Sequence, residues 1–225
     1  MNKAVILLSG GVDSSTLLHM VSVREEDVEL YALSFHYGQR HSRELEMAAW
    51  QAAAAGVSEH QTMDISFFGD LVGQASVLTG TESPVPDLVD LSEKELDQPP
   101  TYVPNRNMML LSLAAAFAES RGVQRVYYGA QAQDQYGYWD CTEAFVERLN
   151  TVFLLNRRKP IRVEAPFVGR SKADVVKIGL EIGVDYAHTW TCYRGDEKPC
   201  LTCPSCVERA GAFCGAGVRD PLVEA

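Results

Sequence analysis

The sequence contains no apolar run approaching the length of a membrane span. It also lacks a basic excess: 30 Asp and Glu stand against 20 Lys and Arg, for a net charge of −10. That excludes broad electrostatic docking on nucleic acid and leaves room only for a local basic patch. No leader-like pattern precedes the first strand-like run, so a cytoplasmic protein is expected. In that reducing setting the six cysteines are not expected to pair as disulfides. One further absence concerns chemistry. A glycine turn opens the chain, yet no lysine follows its glycines. This excludes the Gly-x-x-x-x-Gly-Lys-Ser/Thr loop of enzymes that release the terminal phosphate of a nucleotide.

What is present begins at Leu8-Ser9-Gly10-Gly11-Val12-Asp13-Ser14-Ser15, which follows Ala4-Val5-Ile6-Leu7 and leads into Thr16-Leu17-Leu18. The pattern reads as strand, glycine turn, helix. Two adjacent glycines permit a tight turn and leave no Cβ in the path of an anion. The helix start aims unpaired N–H groups and the positive end of its dipole at the same point. Hydroxyls at Ser9, Ser14 and Ser15 add donors, and the whole fits pyrophosphate. Asp13 would repel phosphates unless a magnesium ion sat between them. A bare Gly-Gly pair reads most simply as an ordinary turn. The fuller Ser-Gly-Gly-x-Asp-Ser is more specific and resembles the pyrophosphate loop of the N-type ATP pyrophosphatases, which cleave ATP to AMP and pyrophosphate.

With 225 residues of ordinary composition the chain can bury one large α/β core. Strands are expected at 4–8, 28–35, 59–65, 124–129 and 161–165, and helices at 14–23, 43–55, 108–121, 142–155 and 172–182. The alternation implies a parallel sheet with helices on both faces. Polar clusters past strand ends mark the ligand side: His36 to His41, and the polar, aromatic loop from Ala130 to Cys141. The loop offers Tyr138 or Trp139 as a flat surface, with Asp134 and Asp140 as carboxylates for a ligand's N–H groups; the alternative is that its aromatics only pack the loop down. Of the two carboxylates, Asp140 is the favoured reader of such N–H groups, with Asp134 as the alternative. Arg106 lies near a helix start, an odd place for a cation unless it pairs with a bound phosphate. Between 74 and 103 prolines and acidic residues break the pattern, as in a segment that covers a site.

From about residue 189 the character changes, which suggests residues 1–188 as the α/β domain and 189–225 as a small C-terminal subdomain. Cys192, Cys200, Cys203 and Cys206 are spaced C-x7-C-x2-C-x2-C. Four thiolates so spaced suit structural zinc, with an iron–sulfur cluster as the alternative. Cys214 and Cys141 stand outside the set.

Taken together, these motifs resemble the 7-cyano-7-deazaguanine synthase (QueC) family. The likeness rests on Ser9–Ser14, Tyr37–His41, Thr101–Asn107, Gly137–Cys141, Ser171–Ala173 and Thr191–Gly195 with the remaining cysteines. The resemblance implies an adenine nucleotide alpha hydrolase-like, Rossmann-like fold and a cysteine-bound zinc, often in a homodimer. It implies that ATP is held by Leu8 through Leu18, Phe35, Arg106 and Lys172, with Asp13, Arg106 and Lys172 catalytic, and that Tyr102, Asp134, Tyr138 and Asp140 contact the substrate. The implied reaction adenylates 7-carboxy-7-deazaguanine, exchanges AMP for ammonia to give an amide, and adenylates again to release the nitrile. Departures occur at Asn105, Tyr136, Trp139 and Thr142, where the family commonly has glycine, serine, proline and arginine. An end-point at the amide, or another amine as acceptor, is therefore kept as the alternative, as is another amide-forming or tRNA-modifying enzyme of the same superfamily.

Overall fold

The computed structural model describes residues 2–25, 27–39, 43–79, 83–132, 134, 137–194 and 197–224. Arg40, His41, Gln133, Gln135, Tyr136 and Gly195, which belong to the motifs above, lie outside them. Five parallel strands form one sheet in the order β3-β2-β1-β4-β5: β1 Asn2–Leu7, β2 Val28–His36, β3 Glu59–Asp64, β4 Arg125–Tyr127 and β5 Arg162–Glu164. The expected α/β architecture is therefore borne out. The last two strands are shorter than their apolar runs suggest, because only three residues of each find a partner.

Strand alternation sorts the core. Ala4 and Ile6 of β1, with Leu30 and Ala32 of β2, pack under α1 (Val12–Arg24), α2 (Arg43–Ala54) and α7 (Lys172–Glu181). Val5, with Leu33 and Phe35, packs on the other face under α5 (Arg106–Ser120) and α6 (Glu143–Phe153). Residues two apart on a strand share a face, so one strand feeds both layers. The helix starts follow local chemistry. Thr142 accepts from Phe145 N at the start of α6, and Ser171 accepts from Asp174 N at the start of α7, each satisfying one unpaired donor.

The irregular stretch carries more structure than its composition suggests. α3 (Phe67–Val72) and a 3-10 turn at Gly73–Ala75 lead into it, and it contains a 3-10 turn at Leu88–Asp90 and α4 (Glu93–Asp97). Ser92 and Glu95 form a capping box at α4, which turns a proline-flanked acidic run into a helical turn. The stretch is tied down by Leu88 N donating to Thr202 O at 3.0 Å and by an ion pair between Arg194 and Asp87.

The chain ends in α8 (Pro204–Gly215) and α9 (Pro221–Glu224). Phe213 of α8 packs with Val12, Val176 and Tyr186. Beside it Arg209 is 2 % exposed. Its guanidinium holds Asp220 at 2.6 and 2.8 Å and donates to Thr189 Oγ1 and Tyr186 O. A buried carboxylate left without its partner is costly, so Arg209→Met is expected to lower unfolding stability by about 3–5 kcal/mol. Urea unfolding monitored by circular dichroism measures this, and a loss below about 1 kcal/mol would show the pair to be dispensable. Among the described residues no helix is long and apolar enough to cross a membrane.

Candidate active site

The loop between β1 and α1 is built around Gly10. Its φ is +81°, and a Cβ there would lie 2.1 Å from the Glu44 carbonyl oxygen of α2. Only glycine combines that left-handed backbone with so close an approach. Ser9 N donates to Ser14 Oγ at 3.1 Å, and the Ser9 and Ser14 hydroxyls are 3.0 Å apart. Gly11 caps α1 without a side-chain hydrogen bond. The first-turn N–H groups of α1 therefore point into the space ahead of the helix. Trp190 N donates to Gly10 O at 2.9 Å, so the cysteine-bearing segment is bonded directly to the loop.

That space is a cavity of about 270 Å³. Of the residues expected at the nucleotide, Leu8, Ser9, Gly11, Val12, Asp13, Ser14, Phe35, Arg106 and Lys172 line it. The others do not. Gly10 faces α2, and Ser15 is fully buried. Thr16 Oγ1 is bonded to Val12 O at 2.8 Å and to Tyr186 Oη at 2.7 Å. Leu17 and Leu18 are 0 % exposed in the core beneath the sheet. A helix that starts at Val12 has already turned these side chains inward by its second turn.

Lys172, the first residue of α7, enters a cluster of carboxylates. Its Nζ lies 3.1 Å from Asp13 Oδ2 and 2.9 Å from Glu208 Oε2. Gln131 Nε2 bridges Asp134 Oδ1 and Glu208 Oε1 at 3.1 and 3.0 Å. Burial works against the Lys172 ammonium, but Asp13, Glu208 and Asp134 outweigh it and keep the group charged. Burial pushes the Asp13 carboxyl up, and Lys172 pulls it back. Asp134 is pushed up to about 6, chiefly by burial. Among the described residues Asp13 Oδ1 is buried with no hydrogen-bond partner. A carboxylate oxygen left open beside a phosphate cradle fits the oxygen chemistry that binds magnesium.

Of the residues expected at the base, Asp134 and Tyr138 line the cavity, while Tyr102 and Asp140 do not. Tyr102 Oη accepts from Trp139 Nε1 at 2.7 Å. Asp140 is 2 % exposed, and its Oδ2 accepts from Asn107 N at 3.1 Å at the start of α5. The favoured reader is thus held to a helix end, and the alternative stands in the cavity wall. Arg106 donates from Nη1 to Tyr37 Oη at 3.3 Å, with its guanidinium carbon 5.6 Å from the centre of that ring. Asn105, just before it, has φ +55°. Asparagine tolerates that left-handed conformation better than most residues, which accounts for its standing where glycine is common.

Several lining residues were not singled out from sequence: Glu44, Tyr128, Trp190, Tyr193, Ser205 and Glu208. A second cavity of about 280 Å³ shares Asp134, Tyr138, Tyr193, Ser205 and Glu208 and runs beneath Leu88 to Pro99. The broken stretch thus covers ground beside the site.

The four cysteines converge. The sulfurs of Cys192, Cys200, Cys203 and Cys206 all lie within 4.8 Å of one another. A tetrahedral metal with bonds of about 2.3 Å needs sulfurs about 3.8 Å apart, and Cys200 and Cys206 are at 3.9 Å. The donor set fits one closed, four-thiolate metal site. Cys141 is buried elsewhere, with Asn107 Nδ2 at 3.2 Å from its sulfur, and burial pushes its thiol up. Cys214 is exposed.

Comparison with known proteins places these features. Residues 3–217 match the family model described as queuosine biosynthesis protein QueC. A 7-cyano-7-deazaguanine synthase of Archaeoglobus fulgidus is 48 % identical over 98 % of this chain and 90 % of its own. One from Caldicellulosiruptor saccharolyticus is 44 % identical over 98 % of this chain and 94 % of its own. Among solved structures, the NMN synthetase of Francisella tularensis superposes with a TM-score of 0.52 at 12 % identity, covering 97 % of this chain and 78 % of that one, a likeness of fold alone. With the family pattern running from the first strand to beyond the last of the four clustered cysteines, the chain belongs to the QueC family.

Proposed function

We propose that this protein is an ATP-dependent carbon–nitrogen ligase that converts 7-carboxy-7-deazaguanine and ammonia to 7-cyano-7-deazaguanine, releasing AMP and pyrophosphate. The observation that carries the reading is a single cavity lined both by a lysine-free phosphate loop and by Arg106, Lys172, Asp134 and Tyr138. The N–H groups at the start of α1 and the Ser9 and Ser14 hydroxyls cradle the pyrophosphate portion of ATP. Arg106 and Lys172 offset the charge that builds on the α-phosphate as the substrate carboxylate attacks it and pyrophosphate leaves. Asp13 would hold a magnesium ion, which would add charge neutralisation at the phosphates. Asp134 accepts hydrogen bonds from the N1–H and exocyclic amine of the base, and Tyr138 covers its ring. Asp140 acts behind them by fixing the start of α5 and so the place of Arg106. Ammonia displaces AMP from the first adenylate, and a second adenylation at the amide oxygen lets AMP depart to leave the nitrile. Zinc on the four cysteines has a structural role.

The substrates are free small molecules, and the net charge of −10 supports a site that does not dock on RNA. A cytoplasmic homodimer completes the proposal. A second reading ends at the amide or uses another amine. Trp139, 47 % exposed beside the site, stands where the family has proline and gives it support.

Mass spectrometry of a reaction containing ATP, ammonium chloride and 7-carboxy-7-deazaguanine tests the assignment. The expected result is the mass of the nitrile, with AMP and pyrophosphate. Accumulation of the amide alone selects the second reading, and formation of ADP overturns both.

A further inference from the structure

Glu44 is the one acidic residue of the cavity wall that stands apart from the cluster around Lys172. It lies in the first turn of α2, against the phosphate loop, since its carbonyl oxygen abuts Gly10. Its side chain lines the same cavity as Arg106 and Tyr37. Its carboxyl is held in one orientation. Gln39 Nε2 donates to Glu44 Oε1 at 3.0 Å and also to Phe35 O at 3.0 Å, while Gln39 Oε1 accepts from Tyr37 N at 2.7 Å. The Gln39 amide is thereby fixed with a donor toward Glu44. Among the described residues this is the only hydrogen bond to the Glu44 carboxyl.

Burial pushes the Glu44 carboxyl up to about 7, against the opposing pull of Gln39 and Arg106. Among the described residues, Arg106 and Tyr37 are the charged and titratable groups that act on it. Other such groups on elements packed against α2 are engaged elsewhere: His19 with Gln51, His188 with Trp50, and His60 with Ser34. Arg43, next in sequence, covers the Trp190 ring.

We propose that Glu44 is the general base that receives ammonium and converts it to ammonia at the adenylate. The inference rests on the substrate reading above. Ammonium at neutral pH has no lone pair for attack, so one proton must leave before the C–N bond forms. The Glu44 carboxylate takes it. Ammonia then adds to the carbonyl carbon, the C–O bond to AMP breaks, and the second proton, shed by the tetrahedral adduct, passes to water. The Glu44 proton returns to water through the open cavity. A base that titrates near the working pH is suited to both halves of this cycle.

The test is Glu44→Gln, with ammonium and with hydroxylamine as the amine, which is uncharged near neutrality. For ammonium at about pH 7 the variant is expected to lose about a hundredfold in kcat/KM. At about pH 9.5, where solution supplies free ammonia, the deficit is expected to shrink to a few-fold, and hydroxylamine is expected to close it at neutral pH. Exchange of labelled pyrophosphate into ATP, driven by 7-carboxy-7-deazaguanine alone, reports adenylation and is expected to persist. Loss of exchange, or an equal deficit at every pH and with both amines, overturns the role in favour of a structural one. An unchanged ammonium response in Glu44→Gln, with product formed by the parent protein, overturns this inference alone. Absence of any product from the parent protein overturns the substrate reading, and this inference with it.

Discussion

Asp13→Asn is expected to lower the rate of AMP and pyrophosphate formation by about a thousandfold while leaving the fold intact. The side chain does little for stability and much for charge. Its Oδ1 is buried with no partner among the described residues, and burial already disfavours the ionised carboxyl. Asparagine keeps the shape and removes that cost, and Lys172 retains Glu208 as its ion-pair partner at 2.9 Å. The melting temperature should therefore move by no more than about 2 °C. What is lost is the negative oxygen that would hold a cation between protein and phosphates. Quenched-flow measurement of pyrophosphate release, beside a thermal melt of the same sample, separates the two effects. Activity within tenfold of the parent protein would remove Asp13 from the reaction.

Cys203→Ser is expected to abolish metal binding, from about one zinc per chain to almost none, and to destabilise the C-terminal part of the molecule. Cys203 is fully buried, precedes the first residue of α8 and donates from its N–H to Cys200 Sγ at 3.3 Å. Removing one thiolate leaves three sulfurs, those of Cys192 and Cys206 buried and that of Cys200 half-buried, without a complete donor set. The effect reaches the candidate site, because Ser205 and Glu208 on the same helix line its cavity. A loss of about 3 kcal/mol or more corresponds to a fall in melting temperature of about 6–12 °C for a chain of this size. Cys214→Ser, at an exposed position outside the cluster, should alter neither quantity. Metal analysis by plasma mass spectrometry decides the matter, and full zinc occupancy in Cys203→Ser would sink the ligand set.

The parts of the fold that follow from short-range chemistry were legible in the sequence. β1 and β2 are apolar runs of strand length, Ser171 caps its helix as expected, and the convergence of four cysteines could be read from spacing alone. The site was legible where one motif carries it, as at Ser9 through Ser14. It was not legible where distant segments meet. Glu208 reaches Lys172 across 36 residues, and Asp140 is held by Asn107 across 33. Nothing local distinguishes a carboxylate that caps a distant helix from one that faces a ligand. Thr16, Leu17 and Leu18 are a different case. They follow the loop directly, but the turn of α1 carries them into the core, a consequence of helical period that the motif's length conceals.

The bond from Trp190 N to Gly10 O joins the first turn of the chain to its last fifth. During synthesis the phosphate loop leaves the ribosome long before the segment that closes over it exists. With elongation at about 5–20 residues per second, the interval is on the order of ten seconds or more. Throughout it the glycine loop and the open end of α1 have no Trp190 or Glu208 beside them. The cavity beside the glycine loop is therefore completed late, and under the proposed reading a ribosome-bound intermediate has no complete site in which to hold ATP.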